Sequence, residues 1–416
     1  MSLAIDVLLV VQSTIVFFLA GYEYLTLMHF PALRESATHP SNRSLVSIIL
    51  PVRDQAKTVG ECVASLVGLD YPEKEIIVVD GNSTDGTLDI LRSFDGKINL
   101  VEEEPLPQGW VGKNWACHMG YQQAKGDLLL FTDGDSIHAH DSLAKTVNYL
   151  EVTRADLVTL APAAILRSFW EKLLQPPIFW LIMMFVGGKW VNDDSKPRWA
   201  LGNGQYMLFR REAYDKVGGH NAVRDRISED YSLGRLIKAH GLKLRMVTAS
   251  DSLGVRMYSS FPEIWRGWRK NFYSVSGNHP LFRAAYRLVL LFIFLVLPFV
   301  VLGYGIYLAP KAPLNIYLLT GGFMAFFLWL GLIILDRSIR VSPFYALLLP
   351  FAILVYIGIG IDSTVRGALG LGFSWKGRVY GRRHYHPLSC CFVAVASAVS
   401  NHYVRGLDLH ALAVVV

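Results

Sequence analysis

The chain has 416 residues, of which 52% are hydrophobic and 18% charged, with a mean hydropathy of +0.33 and a net charge of +6. That length holds one sizeable domain and something more, and the hydropathy is high for a soluble protein. The basic residues gather beside apolar segments instead of forming an aromatic-interleaved stripe, which argues for anionic lipid headgroups and phosphate ligands and against a nucleic-acid partner.

Residues 3–28 (LAIDVLLVVQSTIVFFLAGYEYLTLM) carry Asp6 and Glu23 near their two ends. They are long enough to span a bilayer core of about 30 Å. With no basic start and no small-residue cleavage site, residues 1–30 read as a signal anchor. From residue 45 strands and helices alternate. Apolar runs at 45–50, 75–80, 98–102 and 127–132 predict strands, and the spacing predicts helices over 59–69, 85–94 and 113–125. Such alternation implies a mainly parallel sheet covered on both faces. In sheets of that kind ligands sit beyond the carboxyl ends of the strands.

The stretch 165–190 is aromatic and apolar but broken by Pro176-Pro177, and reads either as a helix lying on the bilayer or as a buried core helix. Three more apolar segments follow at 286–309, 314–335 and 341–363. With residues 31–285 cytoplasmic, the loop 336–340 is cytoplasmic too, as the positive-inside tendency favours. A third full crossing would put Arg366, Lys376, Arg378, Arg382 and Arg383 outside. Pro350 splits that segment, so a re-entrant pair of half-helices is the alternative. The expected organisation is an anchor (1–30), a cytoplasmic domain (31–285), a C-terminal membrane region (286–363), and a basic juxtamembrane segment and tail (364–416). Cys62, Cys117, Cys390 and Cys391 form no CxxC pair and no disulfide framework, which suggests a reducing compartment. Cys390-Cys391 offers either a lipidation site or two small apolar residues in a tail, and residues 384–416 suggest no function.

Polar groups close three of the strands. The first ends in Pro51-Val52-Arg53-Asp54, the second in Asp80-Gly81-Asn82-Ser83-Thr84-Asp85, and the fourth in Asp133-Gly134-Asp135. Any one of these reads as a solvated turn. Three converging on one sheet edge point to a ligand, because carboxylates delivered by buried strands need a positive partner. Ser228-Glu229-Asp230 opens a further helix, where acidic residues are also favoured simply as caps.

The ordered set PVRDQAKTVGECVASL, EIIVVDGNSTDGT, LPQGWVGKNWA, GDLLLFTDGDS, GNGQYMLFRREAYDKVGG and ISEDYSLGRLIKAHG resembles family 2 glycosyltransferases of the GT-A fold, over about residues 45–285. LPQGWVGKNWA and the later SWKGRVY are most similar to a membrane-bound branch that glycosylates lipids such as carotenoid acids and hopanoids, near the ceramide glucosyltransferases. The resemblance implies an α/β GT-A domain with α-helical transmembrane segments. It also implies inverting, metal-dependent transfer of one sugar from a nucleotide-sugar donor, a UDP-sugar before a GDP-sugar, to a lipid acceptor at the membrane.

Asp133-Gly134-Asp135 fits the family's DxD motif, which implies Asp135 as a ligand of Mg2+ or Mn2+ and Asp133 beside it on ribose or metal. Such hard cations take oxygen ligands. Ser228-Glu229-Asp230 is similar to the family's (T/S)ED motif, implying Asp230 as the base and Glu229 as its support. Pro51, Asp54 and Asp80 match positions that cradle the nucleoside; Lys113 is a diphosphate contact or a surface lysine. The family's second aspartate after the second strand is replaced by Gly81. Gly202, Asn203 and Gly204 resemble the turn that lines acceptor and donor sugar.

Processive members carry Q(Q/R)xRW, whereas FPEIWRGWRKN keeps arginine and tryptophan but not the motif, which argues against a polysaccharide synthase. Arg266, Arg269 and Lys270 lie at helical spacing in that stretch and are placed to meet diphosphate or lipid headgroups. Arg266, Trp268 and Arg269 are candidates on acceptor or donor sugar; the alternative is a helix resting at the interface. His118, His138, His140 and His220 lack ligand spacing and read as structural or surface residues. The remaining alternative is a non-catalytic nucleotide-binding membrane protein, which would have no use for Asp230 as a base.

Overall fold

The computed structural model describes residues 3–28, 31–33, 44–186, 188–274, 286, 288–369, 371, 373–375 and 378–380. Lys376, Arg382, Arg383, Cys390-Cys391 and the tail 384–416 lie outside the described residues.

Eight strands form one sheet: β1 (Val46–Val52), β2 (Lys74–Asp80), β3 (Asn99–Glu102), β4 (Leu128–Thr132), β5 (Ser136–His138), β6 (Leu157–Ala164), β7 (Tyr206–Arg210) and β8 (Leu244–Val255). Their order is β3-β2-β1-β4-β7-β6-β8-β5. The half formed by β3, β2, β1 and β4 is parallel; β7 runs antiparallel to both β4 and β6, and β8 pairs parallel with β6 and antiparallel with β5. Strands buried on both faces read as unbroken apolar runs, and β4 (LLLFT) is buried at every position. The faces still alternate. Ile48 and Leu50 pack with Val63, Leu66 and Val147 on one side, and Ile49 packs with Phe131, Tyr214 and Ile237 on the other.

Register decides where the polar ends fall. Val52 pairs with Asp80, Asp80 with Glu102, and Ile49 with Phe131. The residues after β1, β2, β3 and β4 therefore share one edge, which gathers Asp54, Gly81, Glu103 and Asp133.

A second apolar core joins this domain to the long helices. Helix Phe169–Val186 buries Leu173, Leu174, Ile178 and Trp180 against Ile264, Leu328, Leu332 and Ile353. Of the two readings for 165–190, its described side chains fit the buried helix. Among the described residues four helices are long and apolar enough to cross a membrane: Leu3–Tyr22, Leu288–Leu308, Ile316–Asp336 and Pro343–Ala368. The last is not split at Pro350. A 3-10 turn at Pro343–Leu348 leads into helix Leu349–Ala368, and Pro350 stands in its first turn. The missing N–H costs nothing there.

That helix follows the domain along its length. Tyr356 donates its hydroxyl to the Leu174 carbonyl (2.6 Å), and Trp265 Nε1 donates to Asp362 Oδ2 (2.8 Å). Arg269 Nη1 donates to the same oxygen (3.1 Å), and Ser363 Oγ donates to the Arg269 carbonyl (3.0 Å). Two short strands follow, β9 (Phe373–Trp375) and β10 (Arg378–Tyr380), paired antiparallel.

Candidate active site

One cavity of about 2080 Å³ runs across the parallel sheet edge. Its lining includes Pro51, Asp54, Lys113, Asp133, Asp135, Gly202, Asn203, Gly204, Glu229, Asp230, Arg266, Trp268 and Arg269. The sheet order brings these distant stretches to one place. Asp80 is the exception among the residues singled out from sequence. It is buried outside that lining, and its two carboxylate oxygens accept from Ser83 N (3.0 Å) and Ser83 Oγ (2.6 Å). It holds the turn after β2.

Asp54 takes a positive φ of 47° and accepts from Thr84 N (2.8 Å), while its own N–H donates to Ser83 Oγ (2.9 Å). The ends of β1 and β2 are thereby laced together under the cavity floor.

Lys113 opens helix Gly112–Gln123 and crosses to the acidic groups. Its Nζ lies 2.7 Å from Asp133 Oδ1 and 2.7 Å from Glu229 Oε1. Burial disfavours the ammonium, but Asp133 and Glu229 outweigh it and hold its pKa well above the ordinary lysine value. The lysine thus joins the acidic pair after β4 to the acidic pair opening helix Glu229–Ala239.

Asp230 differs from its neighbours. Burial and then the Glu229 charge push its pKa up to about 6, against the pull of Lys113 and of two backbone donors. Those donors are Gly204 N (3.0 Å, to Oδ2) and Tyr231 N (2.7 Å, to Oδ1). The Gly202–Gly204 turn must be small: a Cβ on Gly204 would lie 2.8 Å from Lys113 Nζ, 3.3 Å from Asp230 Oδ2 and 3.4 Å from Glu229 Oε1. Asn203 spends its side chain on the turn itself, donating to the Leu160 carbonyl (2.8 Å) and accepting from Gln205 N (3.3 Å).

On helix Phe261–Ser274, Arg266 is exposed at the cavity. Arg269 lies 3.1 Å from Asp362, and Trp268 is buried in the second core. His138 is buried with its pKa pushed down to about 3, so it is neutral; it shares a 3.0 Å hydrogen bond with Thr132 Oγ1. His220, also buried and neutral, lies 2.7 Å from the Tyr214 hydroxyl.

Beyond the carboxylates the cavity meets the long helices. Phe17, Ala20 and Gly21 line it from the first helix, and Phe327, Leu330, Gly331 and Ile334 from Ile316–Ser338. Arg340 and Val341, in the loop after it, line the same space. Sequence reasoning also passed over Glu103 and Arg378, which both line the cavity; SWKGRVY was the available signal for the latter.

Residues 47–218 match the family described as Glycosyl transferase family 2. A 4,4'-diaponeurosporenoate glycosyltransferase of Staphylococcus haemolyticus (strain JCSC1435) is 26% identical over 251 residues, 59% of this chain and 64% of that protein. Its namesake in Staphylococcus aureus (strain USA300) is 25% identical over 242 residues, 57% and 63% of the two. The chain thus spans less than two thirds of the length of the curated relatives it matches. Among solved structures, a mannosyltransferase from Pyrobaculum calidifontis in complex with GDP-Man and Mn2+ aligns with a TM-score of 0.49 at 19% identity, covering 87% of this chain and 98% of that one. Residues 47–218 thus resemble a glycosyl transferase family 2 domain, and the α/β sheet they help build is set against the four helices of membrane-spanning length found among the described residues.

Proposed function

We propose that the protein transfers a single sugar from a nucleoside diphosphate sugar to a lipid-borne acceptor at the membrane surface, with inversion at the anomeric carbon. One observation carries this reading: a single cavity holds the strand-end carboxylates, Lys113 and Asp230 at one side and apolar walls from two membrane-length helices at the other. A greasy acceptor can reach Asp230 along Phe17, Gly21, Phe327 and Leu330 without leaving an apolar surface. The relatives are named as 4,4'-diaponeurosporenoate glycosyltransferases, and a lipid-type acceptor of that kind agrees with the apolar wall.

Asp230 accepts the proton of an acceptor hydroxyl. The acceptor oxygen forms its bond to the anomeric carbon as the bond from that carbon to the diphosphate breaks. A pKa of about 6 leaves Asp230 ionised at neutral pH yet basic enough to take a proton. Gly204 N and Tyr231 N fix the direction of its lone pairs. Lys113 stays protonated and can turn from Asp133 toward the departing diphosphate.

Asp133 and Asp135 suit Mg2+ or Mn2+: both line the cavity and offer only oxygen. Among the described residues no three His, Cys, Asp or Glu side chains form a complete cage. A site of two carboxylates completed by substrate phosphates is how Mg2+ is commonly held. When bound, the cation would neutralise charge building on the leaving diphosphate.

The catalytic domain faces the cytoplasm in this reading. Arg340 in the loop after Ile316–Ser338 lines the cavity, and Arg378 after Leu349–Ala368 touches the domain, so both basic positions lie on its side. Three helices cross, and the fourth lies along the domain. Mass analysis of product formed in lipid vesicles tests the chemistry: one sugar per lipid supports it, and a ladder of added sugars supports a processive synthase instead.

A further inference from the structure

Thr132 closes β4 with a buried side chain, and neither it nor the buried His138 lines the cavity. A valine would suit such a strand position, because a buried hydroxyl is costly unless it is bonded. Thr132 Oγ1 donates to the Gln205 carbonyl (2.8 Å) and lies 3.0 Å from His138 Nε2. With its one proton given to Gln205, the hydroxyl accepts from His138, which puts the ring proton on Nε2. Nδ1 is buried with no hydrogen-bond partner among the described residues. The Nε2 tautomer leaves a lone pair there instead of an orphaned N–H, the rarer and costlier of the two.

The two ends of the Thr132–Gln205 bond belong to different halves of the site. Thr132 and Ser136 bracket Asp133-Gly134-Asp135 on one side. Their turn has bonds of its own: Ser136 N donates to the Asp133 carbonyl (3.1 Å), Arg256 N to the Asp135 carbonyl (3.3 Å) and His138 N to Ser65 Oγ (3.1 Å). On the other side, Gln205 ends the turn whose Gly204 N–H donates to Asp230 Oδ2 (3.0 Å). That turn packs directly on the helix start, since a Cβ on Gly202 would collide with the Asp230 carbonyl. Ser136 Oγ adds a longer bond to the same Gln205 carbonyl (3.4 Å).

One backbone carbonyl therefore joins the turn that carries Asp133 and Asp135 to the turn that holds Asp230. Lys113 spans the same gap, but with a flexible chain that can swing to the diphosphate. The Thr132 bond is buried and needs no such movement during reaction.

We propose that Thr132, oriented by His138, is a positioning residue that sets the spacing between the Asp133–Asp135 turn and Asp230. It thereby fixes the donor diphosphate relative to the base that activates the acceptor. This rests on the transfer reaction given above. Displacement at the anomeric carbon needs attacking and leaving oxygens in line, so an error of about 1 Å in this spacing lowers rate more than affinity.

Turnover and calorimetric binding of Mn2+, UDP and GDP by the full chain in nanodiscs test this. The proteins are the parent, Thr132→Val, Thr132→Ser, and each of these combined with Asp230→Asn. Valine keeps the shape of threonine and removes only the hydroxyl. Thr132→Val should lower kcat about 10²-fold. Its Mn2+ and nucleotide affinities should stay within about threefold of the parent, the pattern of an interaction realised only in the transition state. Thr132→Ser, which restores the hydroxyl, should recover kcat to within about threefold. In the Asp230→Asn background Thr132→Val should change kcat by less than about threefold, because residues acting as a unit are not additive. Should Thr132→Val fail to fold, His138→Phe enters the same cycle with an expected loss of about tenfold. It keeps a ring beside Tyr206 and removes the donor to Thr132.

Parental kcat in Thr132→Val, or an equal loss in both backgrounds, overturns the assignment. So does a loss of Mn2+ affinity that matches the loss of kcat, which would make Thr132 a support of the Asp133–Asp135 turn alone. Absence of sugar transfer by the parent overturns the transfer reading itself.

Discussion

Lys113 Nζ stands 2.7 Å from Asp133 and 2.7 Å from Glu229, so one ammonium ties the strand-end acidic pair to the acidic helix start across the cavity. Both carboxylates sit on rigid elements, and Lys113 opens a helix that packs on β1 and β2, so the three are not free to drift apart. The lysine balances charge that would otherwise accumulate where a diphosphate is to bind. Lys113→Met should cut kcat by about 10²-fold, as loss of a single transition-state donor does elsewhere. It should also lower Tm, because Asp133 and Glu229 then lack their shared cation. Added Mg2+ or Mn2+ should restore much of the Tm but little of the kcat. Thermal unfolding with and without the cation, alongside turnover, checks both halves.

The raised Asp230 pKa fixes the acid side of the pH profile. With a value of about 6, kcat/KM should fall about tenfold per pH unit below pH 6 and be flat above it. The stability effect has the opposite sense. The folded value lies above the unfolded value near 3.9, so the favourable contribution is fully present below about pH 4 and lost as pH rises through about 6. Asp230→Asn should therefore raise Tm at pH 7.5 while lowering kcat by roughly 10²- to 10⁴-fold. Melting curves at pH 4.5 and 7.5 for both proteins check the sign.

Gly204 is required for space. A methyl group there enters the gap between Lys113 and Asp230, 2.8 Å from the ammonium nitrogen. Gly204→Ala should cost about 10²-fold in kcat, the scale of a displacement near 1 Å among reacting groups. Nucleotide affinity should change by less, and separate binding and turnover measurements distinguish the two.

Gly21 tests the acceptor route. It lines the cavity, and a Cβ there meets nothing within 4 Å, so the helix tolerates a side chain at this position. Gly21→Phe should raise the acceptor KM about tenfold by filling the apolar path, with nucleotide affinity unchanged. Acceptor titration at saturating donor provides the readout.

Much of this arrangement was legible in the sequence because its signals are local. The runs Val46–Val52 and Leu128–Thr132 are buried on both faces, so their apolar character alone marks them as central strands. Asp133 and Asp230 stand where an element ends or begins, and polar residues at such points are conspicuous. In the other sheet half β5, β6 and β8 were not read. In β6, Pro162 lies next to a register shift at Pro162/Ala163, and the 12 positions of β8 mix buried, half-buried and exposed residues with no regular alternation to mark a strand. Asp80 reads from sequence as a ligand residue, but a turn of this shape needs an acceptor for Ser83, and that local demand took its carboxylate. Pro350 reads as a break because sequence alone does not say on which turn of a helix a proline falls. The Glu103–Arg378 pair spans 275 residues and has no local signature at all.

Donor turnover by the purified protein in nanodiscs made from native lipid extract is the most direct test, with labelled UDP- and GDP-sugars, Mg2+ or Mn2+, and Asp230→Asn in parallel. Label moving into the lipid phase with the parent, and lost with the variant although it still binds nucleotide, is the expected result. No donor consumed by the parent, with parent and variant binding nucleotide equally, would contradict lipid glycosylation at this cavity and leave a nucleotide-binding role in its place.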